Sequence, residues 1–122
     1  CLMFALELQR RSDAAGWNLT SIAAHPGFAR TNLFAGGPGG LVSLATDFAA
    51  PFFGHSAADG ARPILFAATS PNAKPGAYYG PRGFSELRGA PAAAIVMPQA
   101  RDAAAAARLW DVSAKLTNTT FE

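Results

Sequence analysis

"SIAAHPGFARTNLF", residues 21–34, decides how the chain is read. A short apolar run, Leu19 to Ala24, leads into Pro26 and Gly27, and Thr31 and Asn32 come a few residues later. Proline has no N–H to give to a ladder, so a strand stops there. The residues before it are small and apolar enough for a strand buried on both faces, over Asn18 to Ala24. In an open α/β sheet, ligands bind beyond the C-terminal ends of the strands. His25-Pro26-Gly27 is such an end.

Upstream, "CLMFALELQRR" is an amphipathic helix from about Cys1 to Ala15, with Leu2, Leu6 and Gln9 on one side and Met3 and Phe4 widening the stripe. Gly16 stands where a helix leaves through a positive φ. Downstream, "AGGPGG" (35–40) is a loop by composition. Leu41 to Phe53 is apolar, with Pro51 closing a short helix. Ser56 and Asp59 form a capping-box-like start for a helix running to Thr69, where Ser70-Pro71 stops it. "GAYYG" (76–80) reads as a short aromatic strand, and residues 81–98 as irregular. Asp102 caps a last helix, in which Leu109, Val112 and Leu116 share a face with Trp110 alongside.

Alternating helices and strands predict an α/β fold with a parallel sheet and right-handed crossovers. A sheet of two buried parallel strands would leave open edges and needs more strands and cover on both faces. The chain also opens inside an amphipathic helix with no initiator Met and no N-cap. Both features predict that residues are missing upstream, further strands among them.

The chain has 122 residues, half of them apolar and 15% charged, which marks a globular protein. A net charge of +2 without basic runs argues against nucleic acid or a membrane surface as partner. No apolar stretch is long enough to span a bilayer, so a cytoplasmic protein is expected. The single cysteine excludes an internal disulfide. Cys1 has no activating basic neighbour and is expected to be a small core residue. His25 and His55 lie far apart with no acidic or cysteine cluster around them, so no metal site is expected. His25 is expected to line the pocket or hydrogen-bond beside it. Arg30 is expected to be exposed. A nucleophile elbow at Ser56 fails on chain order, since both histidines precede the serine.

Four segments together resemble the C-terminal half of a short-chain dehydrogenase/reductase. They are "LMFALELQRR", "IAAHPGFARTNL", "GAYYGPRG" and "ARLWDVSAKLT". The last is similar to the closing helix of the branch containing retinol dehydrogenases and WW-domain oxidoreductases. The resemblance implies part of a Rossmann-type doubly wound sheet, NAD or NADP as cofactor, and hydride exchange with an alcohol or carbonyl substrate. It also implies that the family's glycine-rich turn and its catalytic Ser, Tyr and Lys precede Cys1. Tyr78 and Tyr79 are no substitutes, because Arg82 and Gly83 stand where a Lys is needed. This chain then carries no catalytic residue.

On that reading Pro26, Gly27, Phe28 and Thr31 bind the cofactor. Gly27 lets a flat ring approach, free backbone groups at Gly27 and Phe28 meet a carboxamide, and Thr31 offers a hydroxyl. The plain alternative is a turn in which Pro-Gly only ends the strand and Thr31 caps the next segment. The apolar segment 32–56, with Leu33 and Phe34 as substrate contacts, suits either a lid for an apolar substrate or a packing surface. A homo-oligomer through the first helix is implied by family analogy. The competing functional reading is a non-catalytic fragment that serves packing or assembly.

Overall fold

A computed structural model describes residues 1–28 and 56–119. The run before Pro26 is a regular strand only at its end, β1 (Ala23–Ala24). Its start is used otherwise: Asn18 sits at φ 55°, and Leu19 exchanges hydrogen bonds with the Ser12 side chain. The chain therefore turns out of the first helix through Gly16 and Asn18 and straightens only afterwards. β1 pairs in parallel with β2 (Tyr78–Pro81), Ala23 beside Tyr78 and Ala24 beside Tyr79. Backbone bonds from Gly76 N to Ser21 O and from His25 N to Tyr79 O, both 2.9 Å, carry the pairing past either end.

A further strand lies in the stretch read as irregular. β3 (Pro91–Ala93) runs antiparallel to β2, with Tyr79 beside Ala93 and Pro81 beside Pro91. The sheet is therefore mixed, in the order β1-β2-β3. Proline at the first position of β3 is tolerated because its missing N–H lies at the strand's start.

The helices obey their punctuation. α1 (Leu2–Ala15) ends on Gly16 at φ 66°. α2 (Ala57–Thr69) starts on Ser56, whose hydroxyl accepts the Asp59 N–H, and ends at Ser70. α3 (Ala103–Thr117) starts on Asp102, which accepts the Ala105 N–H, and ends on Asn118 at φ 51°. Side-chain alternation along a strand sends neighbours to opposite faces. Thr20, Ile22 and Ala24 face Ile64, Ala67 and Ala68 of α2 across an open groove. Ser21 turns the other way, and its hydroxyl donates to Ala5 O of α1. Tyr79 contacts Phe66 edge-on at 4.9 Å, again on the α2 side. The sheet thus has a helix on each face, and the described residues form an α/β fold of the kind read from the sequence.

α1 docks through polar groups. Its buried residues are Glu7, Gln9 and Ser12, and the apolar stripe of Leu2, Met3, Phe4 and Leu6 is only half-buried. Gln9 Oε1 accepts the Ser21 N–H at 2.7 Å, and Ser12 Oγ donates to Leu19 O at 2.9 Å. α3 packs on α1 by stacking Trp110 on Phe4, ring centres 4.8 Å apart, with the Arg11 guanidinium 4.8 Å from the Trp110 ring centre. Trp110 and Ala106 form the buried face of α3. Leu109, Val112 and Leu116 lie on the exposed side, Leu116 at 83%. Cys1 is exposed and not a core residue, because it precedes the first turn of α1. Among the described residues no helix is long and apolar enough to cross a membrane.

Candidate functional site

The strand end at His25-Pro26-Gly27 closes on the loop joining β2 to β3. That loop is braced by bonds from Arg82 N to Ala90 O at 2.8 Å and from Gly83 N to Arg88 O at 2.9 Å. It includes a short 3₁₀ turn, Phe84–Glu86, in which Ser85 and Glu86 both adopt left-handed backbone, φ 49° and 56°. Each such residue with a side chain costs on the order of 1–2 kcal/mol. Strain of this kind persists only where neighbouring contacts enforce it.

Here the enforcing contacts converge on Glu86. One carboxylate oxygen, Oε1, accepts the Ile95 N–H at 2.7 Å, and the other, Oε2, lies 3.1 Å from His25 Nε2. His25 Nδ1 accepts the Gly27 N–H at 3.2 Å. The His25 ring lies over Gly80, its neighbour in the register, where a side chain on residue 80 would collide with it. Tyr78 flanks the ring at 5.1 Å. Burial, and after it the nearby Glu86 charge, pushes the Tyr78 hydroxyl above its ordinary range, so it stays protonated at neutral pH.

Gly27 has φ 66°, a left-handed turn suited to glycine. A Cβ there would stand 2.6 Å from Leu87 O, 2.7 Å from Glu86 O and 2.7 Å from Pro81 Cγ. The chain itself fills that space, so the missing side chain admits the β2–β3 loop and leaves no opening for a ring on that side. The backbone donors are engaged as well: Gly27 N–H goes to His25 Nδ1, and Phe28 N–H to Leu87 O at 2.9 Å. Of the free backbone groups expected at Gly27 and Phe28, the two N–H donors are thus not free. The turn offers a ligand its shape, with Pro26 exposed and Gly27 and Phe28 half-buried. Thr31, Leu33, Phe34 and Arg30 lie outside the described residues.

Of the two expectations for His25, lining the pocket or hydrogen-bonding beside it, the hydrogen bonding is present, to Gly27 N–H and Glu86. Sequence reasoning missed Glu86, Tyr78 and the β2–β3 loop as parts of the site. The only local signal was the density of glycine and proline in "GPRGFSELRGAP". An open groove of about 520 Å³ lies between β1 and α2, lined by Thr20, Ile22, Ala24, Ile64, Ala67 and Ala68. It runs along the side of the sheet and does not include the strand end. Among the described residues no group of three or more His, Cys, Asp and Glu is placed to hold a metal ion.

No family model matches the chain. Over 113 residues, 93% of its length, it is 33% identical to the short chain dehydrogenase/reductase dpchH of Colletotrichum higginsianum. The chain is similar to a short-chain dehydrogenase/reductase. It spans 27% of that relative's length. It also superimposes over 99% of its length on the crystal structure of an uncharacterized protein from Mycobacterium paratuberculosis, with a TM-score of 0.69 and 36% identity. It spans 37% of that protein.

Proposed function

We propose that this chain forms the C-terminal, nicotinamide-side wall of an NAD- or NADP-dependent short-chain dehydrogenase/reductase acting on an alcohol or carbonyl substrate. The observation that carries the reading is the likeness over 93% of the chain to an enzyme of that family. The strand end fits the part. It lies at the C-terminal end of a parallel strand, where α/β sheets bind ligands. Its exposed Pro26 and half-buried Gly27 give a flat ring a shallow, side-chain-poor surface.

When bound, the dinucleotide would supply hydride chemistry at its nicotinamide. The residues of this chain would hold and orient it. Pro26, Gly27 and Phe28 would form the wall. Because the Gly27 and Phe28 N–H groups are already paired, the Thr31 hydroxyl is the proposed donor to the ring's polar end. Leu33 and Phe34 would face an apolar substrate. The groups that handle the substrate proton would lie outside this chain. The closing segment "ARLWDVSAKLT" favours the retinol-dehydrogenase-like branch, and α1 is proposed as part of a homo-oligomer interface.

The test is dinucleotide binding by the complete protein. At about 100 times Kd a ligand of the native state adds roughly 2.7 kcal/mol of stability, a plain rise in Tm. A rise with NAD(H) or NADP(H), together with hydride transfer from an apolar alcohol to the oxidised dinucleotide or from the reduced dinucleotide to the corresponding carbonyl compound, would support the reading. No rise with either dinucleotide would overturn it.

A further inference from the structure

We propose that Glu86 is a positioning residue that sets the tautomer of His25 and, through it, the turn at Gly27. The proposal rests on the dinucleotide reading for its functional consequence, and on the structure alone for its chemistry.

The chemistry is dictated by donor and acceptor roles. Gly27 N–H is a donor, so the Nδ1 it meets at 3.2 Å must present a lone pair. A neutral imidazole with a bare Nδ1 carries its proton on Nε2. Nε2 faces Glu86 Oε2 at 3.1 Å, and a carboxylate only accepts. The three groups therefore agree on one arrangement: Gly27 N–H to Nδ1, and Nε2–H to Glu86. The other tautomer would set donor against donor at Gly27 and leave Glu86 and Nε2 as two facing acceptors.

Glu86 is held for this task. Its second oxygen is fixed by Ile95 N–H at 2.7 Å, so the carboxylate cannot turn from the ring without losing that bond. Its own backbone and that of Ser85 are left-handed, a conformation that side-chain-bearing residues avoid. Leu87, next in the chain, accepts the Phe28 N–H, so the same loop grips both residues that come after Pro26. Gly80 leaves the space that the ring occupies. An arrangement that only ended a strand would need none of this; Pro26 alone does that.

The test uses the complete protein labelled with 15N at histidine. Two-bond 15N–1H correlations report which ring nitrogen carries the proton, and loss of the signal in His25→Asn assigns it. The expected state is Nε2–H with a bare Nδ1. In Glu86→Gln the side-chain oxygen keeps Ile95 N–H, and the NH₂ then faces Nε2. The proton is expected to move to Nδ1, and Gly27 amide exchange should speed up by about tenfold, as for one lost hydrogen bond. His25→Asn offers an oxygen near the place of Nδ1 and is expected to keep Gly27 protected. His25→Gln reaches Glu86 but not Gly27, and is expected to lose that protection. If the dinucleotide reading holds, Glu86→Gln and His25→Gln raise KM for the dinucleotide about tenfold with kcat less affected, and His25→Asn restores it. A wild-type Nδ1–H tautomer, or an unchanged tautomer and Gly27 exchange rate in Glu86→Gln, would overturn the positioning role. Absence of any dinucleotide binding by the wild type would overturn the functional reading and leave the tautomer result standing.

Discussion

At the scale of single residues, backbone conformation and burial leave few choices. Gly27 is the clearest case. Alanine there must adopt a left-handed φ and fit a Cβ within 2.7 Å of two carbonyl oxygens and a proline ring. Gly27→Ala should cost at least about 2 kcal/mol of stability, read as a lower denaturant midpoint at unchanged m. A loss confined to ligand binding would contradict this account of the glycine. Glu7 makes a second prediction. The Arg10 guanidinium, doubly hydrogen-bonded to its buried carboxylate, and then Arg11, hold its pKa down to about 2 against the opposing effect of burial. Its contribution is complete above the unfolded carboxylate value of about 4.3 and fades as pH falls toward the folded one. Glu7→Gln should be less stable than the wild type at neutral pH, and the gap should narrow from about pH 4.5 down to about pH 2 in denaturant melts. Much of this scale was readable beforehand: Gly16, Ser56 and Asp102 each stand where a backbone group demands their type. Glu86 was not, because its partners His25 and Ile95 reach it from other parts of the chain and no local pattern marks it.

At the scale of elements, the helices were legible and the strands less so. α2 and α3 begin and end where capping residues put them, since a cap is a local requirement. Asp102→Ala should destabilise by about 1 kcal/mol, with the loss seen as fraying of α3 in amide exchange. β3 was missed because "PAA" has no strand propensity of its own; its pairing with β2 makes it a strand. The packing faces were the weakest part of the reading. A hydrophobic stripe marks a buried face only where apolar contact does the docking, and α1 docks through Gln9 and Ser12 instead. Ser12→Ala removes both bonds to Leu19 and should cost about 1–2 kcal/mol, measured by thermal or denaturant unfolding. A neutral result would show that α1 is held by its half-buried apolar residues after all.

At the scale of the whole molecule, the described residues bury little apolar surface of their own. Tyr79, Ala106 and Trp110 are the buried hydrophobic residues among them, while Leu65, Ile95, Met97 and Phe84 are 58–85% exposed. The function proposed here puts the nicotinamide end of a dinucleotide at the turn after β1 of the complete protein. A crystal structure of that protein with NAD or NADP bound tests it most directly. The account predicts the nicotinamide ring against Pro26 and Gly27, with its carboxamide within hydrogen-bond distance of the chain between Phe28 and Thr31. A dinucleotide whose nicotinamide lies away from this strand end would contradict it.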